Sequence, residues 1–206
     1  GMVCYRHASY ATPLRTVPAS QEGRFNALGD DEPTQYLTEH PLGPLAELMR
    51  HGDLRTPEQV AAVRARTWAL EVALDGLPEL TFENARRWGI SAEELVSDDP
   101  GACRRLARRL RAEQAGMIVP SASLPGTRTV VLFGPRVAAP YLTEPVSALD
   151  VPASITAHGG RPLVALIERV RFVGEPHAAL DAWLAGASTR FVEPDWSLTR
   201  EAPVSA

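Results

Sequence analysis

The sequence contains no lysine: all 21 of its basic residues are arginines. That absence excludes a Schiff-base lysine and the lysine of a phosphate-binding P-loop. With arginine at every basic position, an arginine at any one of them is a weaker mark of bidentate recognition. Two cysteines, Cys4 and Cys103, form no CxxC and no disulfide framework, which points to a reducing compartment. The five histidines never fall at metal-ligand spacing, and HExxH, GxSxG, GxGxxG and GxxxxGK are all missing. No apolar stretch approaches the roughly 20 residues that span a bilayer. The first residues, Gly1-Met2-Val3-Cys4-Tyr5-Arg6, carry no basic region followed by an apolar block, so no signal peptide is expected and the expected location is cytoplasmic.

What is present is enough for a core: 206 residues, 45% of them hydrophobic and 22% charged. A net charge of −4 gives no electrostatic case for nucleic acid or an anionic membrane. Arg104, Arg105, Arg108, Arg109 and Arg111 crowd one helix, but Ala102, Leu106, Ala107 and Leu110 interleave with them, so the arginines read as a solvated face. The acidic pairs Glu93-Glu94 and Asp98-Asp99 read as a helix start and a turn rather than as paired glycosidase carboxylates.

Val3-Cys4-Tyr5-Arg6 reads as a first strand, and the β-branched and aromatic content of residues 34–38 as a second. Pro41 and Pro44 open a helix to about residue 51, and Pro57 another through Val63, because proline is tolerated in a first turn. Trp68 to Leu74 alternates as a strand does. Thr81 is placed to cap a short helix to Trp88, and Ser91 with Glu94 has capping-box spacing. Ala102 to Ala115 reads as a helix stopped by Gly116. Met117 to Val119, Thr129 to Phe133 and Leu163 to Ile167 read as buried strands, and Pro176 to Leu184 as a closing helix. Residues 8–31 and the tail from Glu193 read as irregular. Strands and helices intermingle without a regular βαβ beat, so the predicted class is α+β.

Four segments place polar side chains suited to a charged ligand beside structural punctuation. They are Tyr5-Arg6, then Glu22-Gly23-Arg24-Phe25-Asn26, then Tyr36 with Glu47, and finally Gly116 to Ala122, which contains Pro120-Ser121. Helical spacing puts Glu47 opposite the stripe of Leu42, Leu45, Leu48 and Met49, facing either bulk solvent or a polar cleft. In this order the segments resemble the RES domain, a family named for an arginine, a glutamate and a serine, from about Val3 to Phe133. The second segment is similar to the family's Gly-Gly-Arg-Trp-Asn, with Glu22 in place of a glycine and Phe25 in place of the tryptophan.

The resemblance implies an ADP-ribosyltransferase-like α+β fold, a split mixed or antiparallel sheet with flanking helices. It implies one domain over residues 1–206, its motifs within 3–133, a C-terminal part at 134–192 and a tail at 193–206. It further implies an NAD-consuming enzyme, a toxin held inactive by a cognate antitoxin, with NAD as substrate and neither cofactor nor metal required. On that reading Arg6 grips the diphosphate or the adjoining ribose, Gly23 lets backbone approach the ligand, and Arg24 adds a second positive charge. Tyr36 offers its ring to nicotinamide, and the Ser121 hydroxyl bonds the carboxamide or a ribose oxygen. Glu47 stabilises an oxocarbenium-like centre, holds a ribose hydroxyl or activates the nucleophile. The expected acceptor is water or phosphate, with a protein side chain as the alternative and a non-catalytic nucleotide- or protein-binding module as the second. Each residue also has an ordinary role: strand-end arginine, turn anchored by a buried Phe25, core tyrosine, solvated glutamate, and a turn serine satisfied by backbone, with Ser123 as a second hydroxyl beside it.

Overall fold

Two periods organise the chain, alternation in short strands and three-to-four-residue spacing in the helices that cover them. The computed structural model describes residues 1–7, 21–134, 141–145 and 163–193. Strands β1 (Met2–His7), β2 (Thr34–Thr38), β3 (Thr67–Val72), β4 (Gly116–Pro120), β5 (Arg128–Phe133) and β6 (Tyr141–Pro145) form one sheet in the order β4-β5-β2-β1-β3-β6. Every strand pairing is antiparallel. Helices α1 (Gly43–Gly52), α2 (Pro57–Ala61), α3 (Ala92–Val96) and α4 (Gly101–Leu110) flank it, with two more over Leu163–Ile167 and Ala178–Leu184. The α+β expectation of a sheet with flanking helices holds.

The pleat sorts the apolar residues. On β4 and β5, Met117, Val119, Val131 and Phe133 enter a cluster with Phe25, Leu106 and Leu110. Their neighbours Ile118, Val130 and Leu132 join Cys4, Leu37 and Leu70 in a second cluster. A third gathers Leu45 and Met49 of α1, and Leu42 just before it, with Val60, Leu166 and Phe172. Both cysteines are buried and free.

The predicted capping box is present: Glu94 N donates to Ser91 Oγ at 3.1 Å and Ser91 N donates to Glu94 Oε2 at 2.8 Å. Thr81 does accept from Asn84 N, at 3.3 Å, but only a 3₁₀ turn over Ala85–Trp88 follows.

Three expectations are corrected. α4 ends at Leu110, not Ala115, because Glu113 N and Gln114 N both turn back onto Leu110 O and Ala115 O already accepts from Phe133 N. Gly116 is therefore not a helix stop but the first residue of β4, where a Cβ would lie 2.2 Å from Val131 O. Leu163–Ile167 is a helix, not a strand. Leu163, Leu166, Ile167 and Val170 all pack on the α1 cluster, and their spacing is helical rather than alternating. Strand β6, at the sheet edge, had no counterpart in the sequence reading. Residues 8–20 of the expected irregular segment and 194–206 of the tail lie outside the described residues.

Candidate active site

One row of side chains crosses four strands. Tyr5 pairs with Thr38, Thr38 with Thr129, and Thr129 with Val119. Directly opposed residues share a face, and these four floor a cavity of about 520 Å³, a size within the roughly 300–1,000 Å³ of small-molecule sites.

Helix α1 supplies one wall. Pro44, Glu47, Leu48 and His51 stand at i, i+3, i+4 and i+7, and all line the cavity. Leu45, Ala46 and Met49 are buried on the same helix. Glu47 thus faces a cleft rather than bulk solvent, with 36% of its side chain exposed. Its one ion-pair contact among the described residues is His51 Nδ1, 3.8 Å away. Gly43 lets the helix approach β2, since a Cβ there would lie 2.4 Å from Thr38 Oγ1.

The loop at 22–26 forms the facing wall, and Tyr36 ties it down. Tyr36 Oη donates to Asn26 Oδ1 at 2.7 Å and accepts from Phe25 N at 2.9 Å. Burial holds this hydroxyl above the ordinary phenol pKa, so it stays protonated as a donor. A Cβ on Gly23 would fall 2.3 Å from Asn26 Oδ1 and 2.6 Å from Tyr36 Oη, so the loop closes only around a glycine. Phe25 is 2% exposed and anchors the loop in the core, its ring 6.5 Å from that of Tyr36. Arg24 Nη1 donates to Ser97 O at 2.7 Å, and no carboxylate among the described residues is in ion-pair reach of it. Arg6, next to Tyr5 on β1, donates from Nη1 to Gln35 Oε1 at 3.2 Å and borders the cavity.

Arg6, Gly23, Arg24, Tyr36 and Glu47 therefore meet around one cavity, while Ser121 stands behind its wall. The Ser121 hydroxyl accepts from Ser123 N at 3.3 Å and Leu124 N at 3.1 Å, building the turn between β4 and β5. Its carbonyl is held by buried His177, whose Nε2 lies 2.9 Å away. Ser123 is the serine of this turn that lines the cavity, and its buried hydroxyl has no hydrogen-bond partner among the described residues.

The RES domain family pattern matches residues 3–153. This chain belongs to the RES domain family. It is 32% identical over 119 residues to a Mycobacterium tuberculosis protein named "Probable NAD(+) phosphorylase Rv3189", a match covering 56% of this chain and 55% of the relative. The chain thus spans about half the length of the curated relative it matches. In fold it is similar, with a TM-score of 0.55 at 16% identity, to a chain in the crystal structure of the M. tuberculosis MbcT–MbcA toxin–antitoxin complex. That likeness covers 76% of this chain and 87% of the other.

The residues around the cavity are supported by side chains that sequence reasoning placed elsewhere. Arg104 and Arg111 do not belong to a solvated face. Arg104 Nε donates to Gly23 O at 2.9 Å, and Arg111 Nη2 donates to Phe25 O at 3.1 Å with its guanidinium over the Phe133 ring. The seven-residue spacing puts Arg104, on α4, and Arg111, the residue just after its end, on one side, whereas Arg105, Arg108 and Arg109 are exposed as expected. Asp98, read as a turn acid, binds two buried arginines, Arg50 at 2.5 Å and Arg171 at 3.1 Å, and accepts from Gly174 N. Burial alone raises its pKa, but the Gly174 N–H and the two guanidinium groups outweigh that and hold it below the usual carboxylate value. Among the described residues no cluster of three or more His, Cys, Asp or Glu is placed to hold a metal ion, and no helix is long and apolar enough to cross a membrane.

Proposed function

We propose that this RES domain consumes NAD, cleaving the nicotinamide–ribose bond and passing the ADP-ribosyl unit to phosphate or water. The observation that carries the reading is Glu47, a carboxylate set in the wall of a cavity that it shares with Arg6, Arg24 and Tyr36. NAD is anionic at its diphosphate and aromatic at its nicotinamide. Arg24 and Arg6 suit the first, as planar forks that bind phosphate oxygens in pairs. Tyr36, pinned by its own hydroxyl, suits the second as a fixed ring.

When the C1′–N bond breaks, its electron pair leaves with the nicotinamide nitrogen and neutralises the positive charge there. The ribose C1′ is left as an oxocarbenium-like centre, and the Glu47 carboxylate stabilises the developing charge. A phosphate oxygen then bonds to C1′ and gives the sugar phosphate. If water attacks instead, its proton passes to Glu47 or solvent and ADP-ribose results. NAD is the substrate, and the reaction needs no cofactor or metal. Ser121 acts through the turn it builds rather than by touching NAD. The name of the M. tuberculosis relative supports phosphate as acceptor, and the likeness to a chain of a toxin–antitoxin complex supports a toxin with an antitoxin partner.

Purified protein incubated with NAD, with and without phosphate, is expected to release nicotinamide, and Glu47→Gln with a matched melting curve is expected to lose that release. Turnover by Glu47→Gln near the wild-type rate would remove Glu47 from the chemistry. Failure of the wild type to bind or cleave NAD would overturn the reading itself.

A further inference from the structure

Glu22 lies at the cavity, a negative charge in the wall of a site read as binding a diphosphate. Left alone, that carboxylate would repel the ligand. It is not alone: its Oε2 lies 2.9 Å from Arg104 Nη1.

Arg104 also lines the cavity. Its Nε is fixed on Gly23 O at 2.9 Å, so a bond independent of Glu22 holds the guanidinium at the wall. Nη1 is taken by Glu22, while Nη2 makes no hydrogen bond among the described residues. A guanidinium anchored through Nε presents its Nη1 and Nη2 edge as a two-pronged oxyanion site. Here one prong is occupied by a carboxylate whose one ion pair among the described residues is with Arg104. With 45% of the Glu22 side chain exposed, the pair is water-screened and weak. A phosphate bearing two oxygens and more charge is the stronger partner for the same edge.

We propose that Arg104 is a further substrate-binding residue of this site, and that Glu22 is an internal competitor displaced from it by a phosphoryl oxyanion. The proposal rests on the NAD reading for the identity of that oxyanion, which is either the NAD diphosphate or the phosphate acceptor. Glu22 then tunes affinity: it keeps Arg104 neutralised in the empty cavity and swings towards solvent when the ligand arrives.

The test is Glu22→Gln, which leaves the Gly23–Arg104 bond in place, combined with Arg104→Ala and the double variant, each checked by thermal melting. KM for NAD and KM for phosphate are measured separately from nicotinamide release. Glu22→Gln is expected to lower one of them about three- to tenfold with little change in kcat. A fall for NAD assigns the edge to the diphosphate, and a fall for phosphate assigns it to the acceptor. Arg104→Ala is expected to raise the same KM, and the double variant to match Arg104→Ala, because Glu22 has nothing to compete for once Arg104 is gone. Unchanged values in Glu22→Gln, or the same gain with Arg104 absent, would overturn the proposal. Titration with inorganic pyrophosphate separates this idea from the NAD reading. Tighter binding by Glu22→Gln than by wild type supports the competition even if no NAD is cleaved, and equal binding refutes it.

Discussion

Acidification should loosen the turn between β4 and β5 through a single buried ring. His177 is 3% exposed, its Nε2 lies 2.9 Å from Ser121 O, and its Nδ1 accepts from Leu180 N at 3.1 Å. The carbonyl requires a proton on Nε2 and the amide requires a lone pair on Nδ1, so the ring is the neutral Nε2–H tautomer. Phe82 packs edge-on against it at 5.9 Å. Burial lowers its pKa from 6.5 to about 4; the Ser121 carbonyl opposes the shift, while Arg171 and Arg24 add to it. The sign follows directly. The unfolded chain takes up the proton near pH 6.5 and the folded one only near 4, so this stabilisation is complete above 6.5 and is lost as pH falls between the two. A gap of that width is worth about 3 kcal/mol in full, and about 2.5 kcal/mol between pH 7.5 and 4.5. Urea unfolding at both pH values, on wild type and His177→Gln, isolates the contribution, because the carboxylates titrate alike in both proteins. Wild type should lose about 2.5 kcal/mol more than the variant over that interval. Parallel losses would show that His177 is not held neutral by the fold, and the tautomer assignment would go with it.

The two serines of the same turn should behave oppositely. Ser121→Ala strands two backbone N–H groups and should destabilise by about 1–3 kcal/mol, whereas Ser123→Ala removes a hydroxyl with no hydrogen-bond partner among the described residues and should leave melting unchanged or raised. Equal melting of the two variants would refute this division of roles. Gly23→Ala should displace Asn26 and Tyr36 Oη, costing about 1–3 kcal/mol and distorting the loop that presents Arg24; a variant that melts as wild type would mean that the loop yields without strain. Phe25→Ala should lower stability by about 3–5 kcal/mol, measured by chemical unfolding, since the ring is in the core. A loss under 1 kcal/mol would show that the loop is anchored by its hydrogen bonds instead.

Much of the secondary structure was legible because its causes are local. Residues 34–38 form β2 as their β-branched content predicts, the Ser91–Glu94 box closes as its spacing requires, and α4 buries Cys103, Leu106, Ala107 and Leu110. Leu163 to Ile167 failed for an equally physical reason. A run of five apolar residues carries neither period, and only its packing on α1 selects the helix.

The order and chemistry of the candidate site residues are written along the chain, and helical spacing puts Glu47 away from the buried side of α1. Whether that side met water or a cleft was decided only when α1 packed across β1 and β2 and the loop at 22–26 folded opposite. The same holds for the serines: two hydroxyls two residues apart are equivalent in sequence, but the turn consumes one and leaves the other at the cavity. Arg104 shows it most plainly. On a helix rich in arginine its neighbours are solvated, while Arg104 reaches Gly23, 81 residues earlier in the chain, and Glu22 beside it. Local propensity acts over a turn or a strand pair, whereas a binding cavity is made where distant segments close on one another, and that closure is a property of the packed core.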